Sequence, residues 1–334
     1  MTSYGDGNHN ERGAPGKRGF PRWPARGVPD RSPHLRTLSP RMSTRTALAT
    51  VTLGGSLEAK MSAIAAAGFD GFELFEDDLI KCPLTPRQIR HRADELGISV
   101  DLYQPFRDLD TTNAAQFDRN LIRAERKFDI MEQLGVQTLL VCSAAPTLSA
   151  VREDSMLIDQ LGVAAQRAQR RGIKLAYEAL AWGRHVNRFG HAWEIVRRVD
   201  HSALGICLDS FHILARGDNP AGIADIPAEK IFYAQLADAP KLTIDVLQWS
   251  RHHRCFPGQG DFDLTTFGVH LLESGYRGPW SLEIFNDVFR GATAARIAAD
   301  GHRSLLLLQE QIAKAVVAWA LIGRSSTTQP ECEV

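Results

Sequence analysis

Four short apolar runs in the second half of the chain each stop at an oxygen-bearing side chain. Ile173–Tyr177 runs into Glu178, Leu204–Leu208 into Asp209, Ile231–Ala234 into Gln235, and Trp280–Leu282 into Glu283. The four stand 31, 26 and 48 residues apart. One strand and its return helix consume about 25 to 45 residues in a parallel barrel, whose strand ends all meet at one mouth. Three carboxylates and an amide converging there would repel one another without a cation. Hard oxygen donors of this kind select Mg²⁺, Mn²⁺ or a similar divalent ion, and no cysteine is placed to build a structural zinc site. The competing reading is four unrelated, solvated strand ends.

Other residues could serve such a centre. His212 follows Asp209 by three positions and would project over the mouth beside it, where an imidazole titrating near working pH suits general base chemistry. His185, in Trp182-Gly183-Arg184-His185, is a second catalytic candidate. Arg254 and Arg107 are candidate clamps for an anionic substrate group, because a guanidinium holds a carboxylate with two parallel hydrogen bonds. Glu73, at the end of an early strand-like run, could bind substrate or orient an arginine. The short basic cluster Arg251–Arg254 is weak grounds for phosphate or nucleic-acid contact.

The elements that must position these residues alternate. Strands are predicted over 46–53, 71–75, 98–103, 136–142, 173–178, 204–209, 230–235 and 279–285. Helices are predicted over 57–67, 85–96, 113–134, 148–171, 191–200, 263–274 and 293–322, with a short one at 211–216. Gly68, Gly97, Gly135 and Gly172 close four of these helices as C-cap glycines do. Eight strands alternating with helices imply parallel pairing and right-handed crossovers. A doubly wound open sheet is the main competitor, but no GxGxxG follows the first strand. The reading is an α/β (β/α)8 TIM barrel with a long, functional connection over 237–262.

Composition sets the frame. The 334 residues are 44% hydrophobic and 23% charged, which suits one globular domain of barrel size. Residues 1–43 carry eight Lys or Arg against three acids, are rich in Gly, Pro and Ser, and are expected to be a disordered leader. The barrel is expected over 44–323 and a flexible tail over 324–334. Beyond the leader the chain is mildly acidic, which gives no reason to expect nucleic acid, and no apolar run reaches the roughly 20 residues that span a bilayer. Five scattered cysteines suit reduced thiols in a cytoplasm. A homo-oligomer is compatible with the sequence.

Several segments resemble a known family. They include 65–76 (AAAGFDGFELFE), 104–108 (QPFRD), 177–187 (YEALAWGRHVN), 208–212 (LDSFH), 235–240 (QLADAP) and 256–260 (FPGQG). Together they resemble the bacterial 3-dehydroshikimate dehydratases, of the xylose-isomerase-like sugar phosphate isomerase/epimerase superfamily of TIM barrels, over about residues 44–320. The resemblance implies metal ligands at Glu178, Asp209, Gln235 and Glu283, a catalytic histidine at His212 and an active-site arginine at Arg254. It implies Mg²⁺ or Mn²⁺, with Co²⁺ as an alternative, and a lyase that dehydrates 3-dehydroshikimate to protocatechuate while a cation offsets charge on the ketone. Some relatives carry a dioxygenase-like second domain, so this chain is expected to have the dehydratase activity alone. The alternatives are a sugar isomerase or epimerase on the same barrel, a barrel-type DNA-repair nuclease and a non-catalytic binding protein. The nuclease would need more histidines and a basic groove.

Overall fold

Short runs of apolar and β-branched residues pair in chain order into a closed barrel of eight parallel strands. The computed structural model describes residues 44–325. The strands are β1 Thr46–Ala49, β2 Gly71–Phe75, β3 Ser99–Phe106, β4 Thr138–Cys142, β5 Lys174–Glu178, β6 Leu204–Asp209, β7 Ile231–Leu236 and β8 Trp280–Leu282. The outer helices are α1 Leu57–Ala67, α2 Glu76–Lys81, α3 Pro86–Leu96, α4 Ala114–Leu134, α5 Asp154–Arg170 and α6 Phe189–Val199. They continue with α7 Ser210–Ala215, α8 Val246–His252, α9 Leu264–Glu273, α10 Asp287–Gly291 and α11 Ala294–Ser325. The predicted leader 1–43, and all but the first two residues of the predicted tail, lie outside the described residues.

Local chemistry sets the helix ends. Thr85 and Gln88 form a capping box before Pro86, the first residue of α3. Gly97 closes that helix at φ +70°, a conformation an L side chain rarely adopts. Three expectations shift. The first strand stops at Ala49 because Thr50–Thr52 coil into a 3-10 turn, with Leu53 N–H bonded back to Thr50 O at 3.2 Å. The helix expected from Leu148 begins at Asp154. Residues before it form a loop tied to the neighbouring connection by Thr112 N–H donating to Ser149 O at 2.7 Å. β8 keeps only three of the seven expected residues, so Glu283 stands one step beyond it. α2, α8 and α10 were not expected. Each is five to seven residues long, too short for a helical period to show. Among the described residues no helix is long and apolar enough to cross a membrane.

The two-residue period of a strand does the positioning. On β5 Ala176 and Glu178 share a face, on β6 Cys207 and Asp209, on β7 Tyr233 and Gln235, and on β3 Leu102 and Gln104. The lower members pack together inside the barrel with Leu140, Cys142 and Leu180. The opposite faces pack against the helices in a second, larger core. The oxygen-bearing upper members therefore form one layer at the mouth. Register keeps them level: Cys142 pairs with Glu178 and Asp209 with Gln235.

Candidate active site

At the mouth, Glu73, Glu178, Asp209, Gln235 and Glu283 are all buried. Burial disfavours a carboxylate, and so does a second carboxylate nearby. Both effects operate here. Burial, then the charges of Asp209 and Glu283, push Glu178 well above the usual carboxylate range. Burial, then the charge of Glu283, does the same to Glu73. For Asp209 burial is outweighed by Arg254, His212 and backbone N–H groups, and its carboxyl is held below the usual range. Phe211 N–H donates to Asp209 Oδ1 at 2.7 Å.

Arg254 is the buried cation of the layer. Its Nη1 donates to Asp209 Oδ2 at 2.7 Å and to Glu283 Oε2 at 3.1 Å. Its Nε and Nη2 donate to Ser250 O and Ser250 Oγ. The guanidinium stacks over Phe211 at 4.6 Å. Its donors are thus spent on the protein, which leaves Arg254 as a fixture that holds two carboxylates in place. That differs from the clamp role expected of it.

His212 lies in the same layer. Its Nδ1 faces Ala181 N–H and its Nε2 faces Arg254 Nη2, each at 3.2 Å; both partners are donors, so the neutral ring can accept from only one of them. Nε2 faces Asp209 Oδ2 at 3.6 Å and Glu178 Oε1 at 3.8 Å. Burial, with Arg254 and Arg251 adding to it against the pull of Asp209, lowers its pKa to about 3, so the imidazole is neutral. The Ala181 contact asks for the proton on Nε2 and the Arg254 contact for the proton on Nδ1, so Nε2 can act as donor or acceptor by giving up one contact for the other.

The amides tie the layer together. Gln104 Nε2 donates to Glu73 Oε2 at 2.6 Å and to Glu283 Oε1 at 2.9 Å. Gln235 Nε2 donates to Glu73 Oε2 at 2.6 Å, while its Oε1 accepts from the Cys207 thiol at 3.4 Å. Glu73 is therefore an anchor for two amides. Gln104 was given no role from sequence, although its place on the inward face of β3 was a signal for it.

The pocket above this layer is lined by Glu178, Glu283, His212, Trp182, Arg107, Arg251, Arg254 and Phe285. Arg107, the other expected clamp, faces it with a buried Nε that has no partner. His185 is not brought there. Its Nε2 lies 2.7 Å from Asp154 Oδ1, which also meets His191 Nε2 at 2.8 Å. Arg198 holds the other oxygen of Asp154 at 3.2 Å, which opposes a cation in that cluster.

Two of the sequence segments meet at Asp238. Its carboxylate accepts from the backbone N–H groups of Gly258 and Gly260, each at 3.0 Å, and from those of Phe262 at 3.0 Å and Ala239 at 2.8 Å. A Cβ on Gly260 would stand 2.4 Å from Asp238 Oδ1, so this position requires glycine. Cys255 exchanges two backbone hydrogen bonds with Asp238, which fixes the chain beside Arg254.

The layer fits a divalent cation. Glu178 Oε1 is buried without a hydrogen-bond partner. Four buried acids share a single buried arginine, and the free oxygens are hard donors. Donor atoms of Glu178, Asp209 and His212 lie within 4.8 Å of one another. Gln235 Oε1, whose one contact is the Cys207 thiol at 3.4 Å, keeps a lone pair for a cation.

Residues 61–307 match the family model described as xylose isomerase-like TIM barrel. The chain is 53% identical over 264 residues to a protein of Pseudomonas putida named 3-dehydroshikimate dehydratase. That match covers 79% of this chain and 41% of the relative, so the chain spans about two fifths of its length. A Bacillus subtilis protein named inosose isomerase is 30% identical over 164 residues, 48% of this chain and 58% of the relative. A solved structure titled xylose isomerase-like TIM barrel/4-hydroxyphenylpyruvate dioxygenase fusion protein superposes with a TM-score of 0.80 at 49% identity. It covers 86% of this chain and 45% of that one. Barrel closure, the acidic layer at the strand ends and the match across most of the described residues agree: the chain belongs to the xylose isomerase-like TIM barrel family.

Proposed function

We propose that the chain is a cation-dependent 3-dehydroshikimate dehydratase that releases protocatechuate and water. The observation that carries this reading is the buried layer of Glu178, Asp209 and Glu283 beneath a pocket that also holds one imidazole and three guanidiniums. The 53% identity to the Pseudomonas putida dehydratase supports the choice of substrate.

Glu178, Asp209 and Glu283, with the amide oxygen of Gln235, would hold the cation. When bound, it supplies positive charge that polarises the substrate ketone and favours loss of the adjacent proton. Such oxygen ligands favour Mg²⁺ or Mn²⁺.

The residues of the chain do the rest. Arg254 holds the Asp209 carboxyl toward its ionised form and keeps both Asp209 and Glu283 aimed. His212 handles the protons. A proton leaves the carbon next to the ketone, the hydroxyl on the following carbon departs as water after taking up a proton, and transfer of one further ring proton to the ketone oxygen yields the aromatic diol acid. Trp182 packs edge-on to His212, with ring centroids 5.0 Å apart, and helps exclude water. The described cysteines, Cys82, Cys142, Cys207 and Cys255, are unpaired, which supports a reducing compartment such as the cytoplasm.

Purified full-length chain should convert 3-dehydroshikimate in the presence of Mg²⁺, Mn²⁺ or Co²⁺, followed by the absorbance of the catechol acid. An inosose should not be turned over. No catechol acid with any of the three cations ends the dehydratase reading, and turnover of the inosose instead replaces it with an isomerase.

A further inference from the structure

Two guanidiniums in the pocket have no acid. Arg251, in the last turn of α8, is half-buried between Trp182 and Phe285, with its guanidinium carbon 5.6 Å and 5.0 Å from the two ring centroids. Arg107, following β3, has a buried Nε with no partner. Among the described residues, neither side chain forms an ion pair within 4.0 Å. The other lining arginine, Arg254, is saturated by Asp209, Glu283 and Ser250.

A desolvated, unpaired cation is costly, and two side by side cost more. Burial, then the charge of Arg107, holds Arg251 below the usual arginine range. Stacking between two rings grips the faces of the guanidinium and leaves its N–H edge open, the edge that takes a carboxylate bidentately. The pocket is thus bipolar. Its acidic layer suits a cation and a ketone, while its wall lacks an anion.

We infer that Arg251, with Arg107, seats the carboxylate of the substrate and so selects carboxylated ring ketones over uncharged ring polyols. The inference rests on the dehydratase reading for the identity of the substrate and names the residues that make the choice. Arg251 would be a substrate-binding residue that the resemblance to known dehydratases did not supply. A neutral ring such as an inosose would leave both half-buried guanidiniums without an acid and would displace water from them.

The test uses the full chain and two ligands that differ only in the carboxylate, 3,4-dihydroxybenzoate and catechol. Calorimetry should show wild type binding the acid more tightly. Arg251→Gln should weaken binding of the acid by about 10- to 100-fold and leave catechol within about twofold, as removal of a charged hydrogen-bond partner does. Arg251→Lys should restore part of the loss, and Arg107→Gln should act in the same direction. With 3-dehydroshikimate, the variants should raise KM far more than they lower kcat. Equal loss for both ligands, or no loss for the acid, overturns the inference, with thermal melting used to confirm that the variant is folded. The two readings fail separately. Wild type that prefers the acid but makes no product sinks the dehydratase alone, whereas turnover without that preference sinks the seat alone.

Discussion

Arg254 Nη1 stands 2.7 Å from Asp209 Oδ2, with both side chains buried at the mouth of the barrel. The contact joins the end of β6 to the long connection after β7 and sets the charge state of the layer. A buried ion pair adds little net stability when intact, because desolvation offsets attraction, but removing one partner strands the other.

Arg254→Ala should therefore cost on the order of 3 to 5 kcal/mol of folding stability, since Asp209 and Glu283 both lose their cation. Chemical denaturation without added metal checks this. Arg254→Lys should recover part of the loss, because a point charge reaches one carboxylate where the guanidinium reaches two. A loss below 1 kcal/mol would mean that the pair is decorative.

His212→Ala should lower kcat by about 10² to 10⁴-fold, the usual cost of losing a positioned acid or base. KM should change far less than kcat, because a group that moves protons acts mainly on the transition state. Steady-state kinetics checks both numbers, and near-normal kcat would remove His212 from the proton transfers.

Glu178 gives opposite expectations for stability and function. With an unpartnered buried oxygen and a carboxyl pushed upward by its neighbours, it strains the metal-free fold. Glu178→Gln should leave melting in chelator unchanged or raised, while reducing the upward shift that added Mn²⁺ produces. Activity should fall in step with cation affinity. Wild type treated with chelator and dialysed should lose turnover and regain it with Mn²⁺. Unimpaired turnover after chelation would overturn the role given to the cation.

Much of this was legible in the sequence for a physical reason. Alternating strand and helix periods, C-cap glycines and a polar residue at the end of each apolar run are local signals, and they located the barrel and the layer of Glu178, Asp209, Gln235 and Glu283. Partner choice is not local. Arg254 and Arg107 look alike in sequence, yet one is held by a backbone carbonyl and two carboxylates, and the other has a buried Nε with no partner among the described residues. Nothing in Trp182-Gly183-Arg184-His185 tells that His185 turns away to Asp154. No local signal marks Asp238, whose four backbone donors tie segment 235–240 to the loop that begins at 256–260. Arg251 was hidden in a basic cluster, because stacking between rings 182 and 285 is a tertiary fact.

Asp110 gives the fold a pH dependence that is separable from the site. It is buried in the connection after β3, and burial, with the charge of Asp108 adding to it, raises its pKa to about 6 despite backbone N–H groups and His185 acting the other way. In the unfolded chain an aspartate titrates near 3.9. Below about pH 4 the group is protonated in both states and costs nothing. As pH rises through 6, the unfolded chain is already ionised and the folded chain must ionise against its surroundings, so stability falls. The loss should be on the order of 3 kcal/mol for a shift of about two units. Asp110→Asn removes the titration, so its stability relative to wild type should climb between pH 4 and pH 7. Urea unfolding at pH 4, 5, 6 and 7 measures that difference directly. A difference that stays flat across the range would show that Asp110 ionises inside the fold as freely as in water.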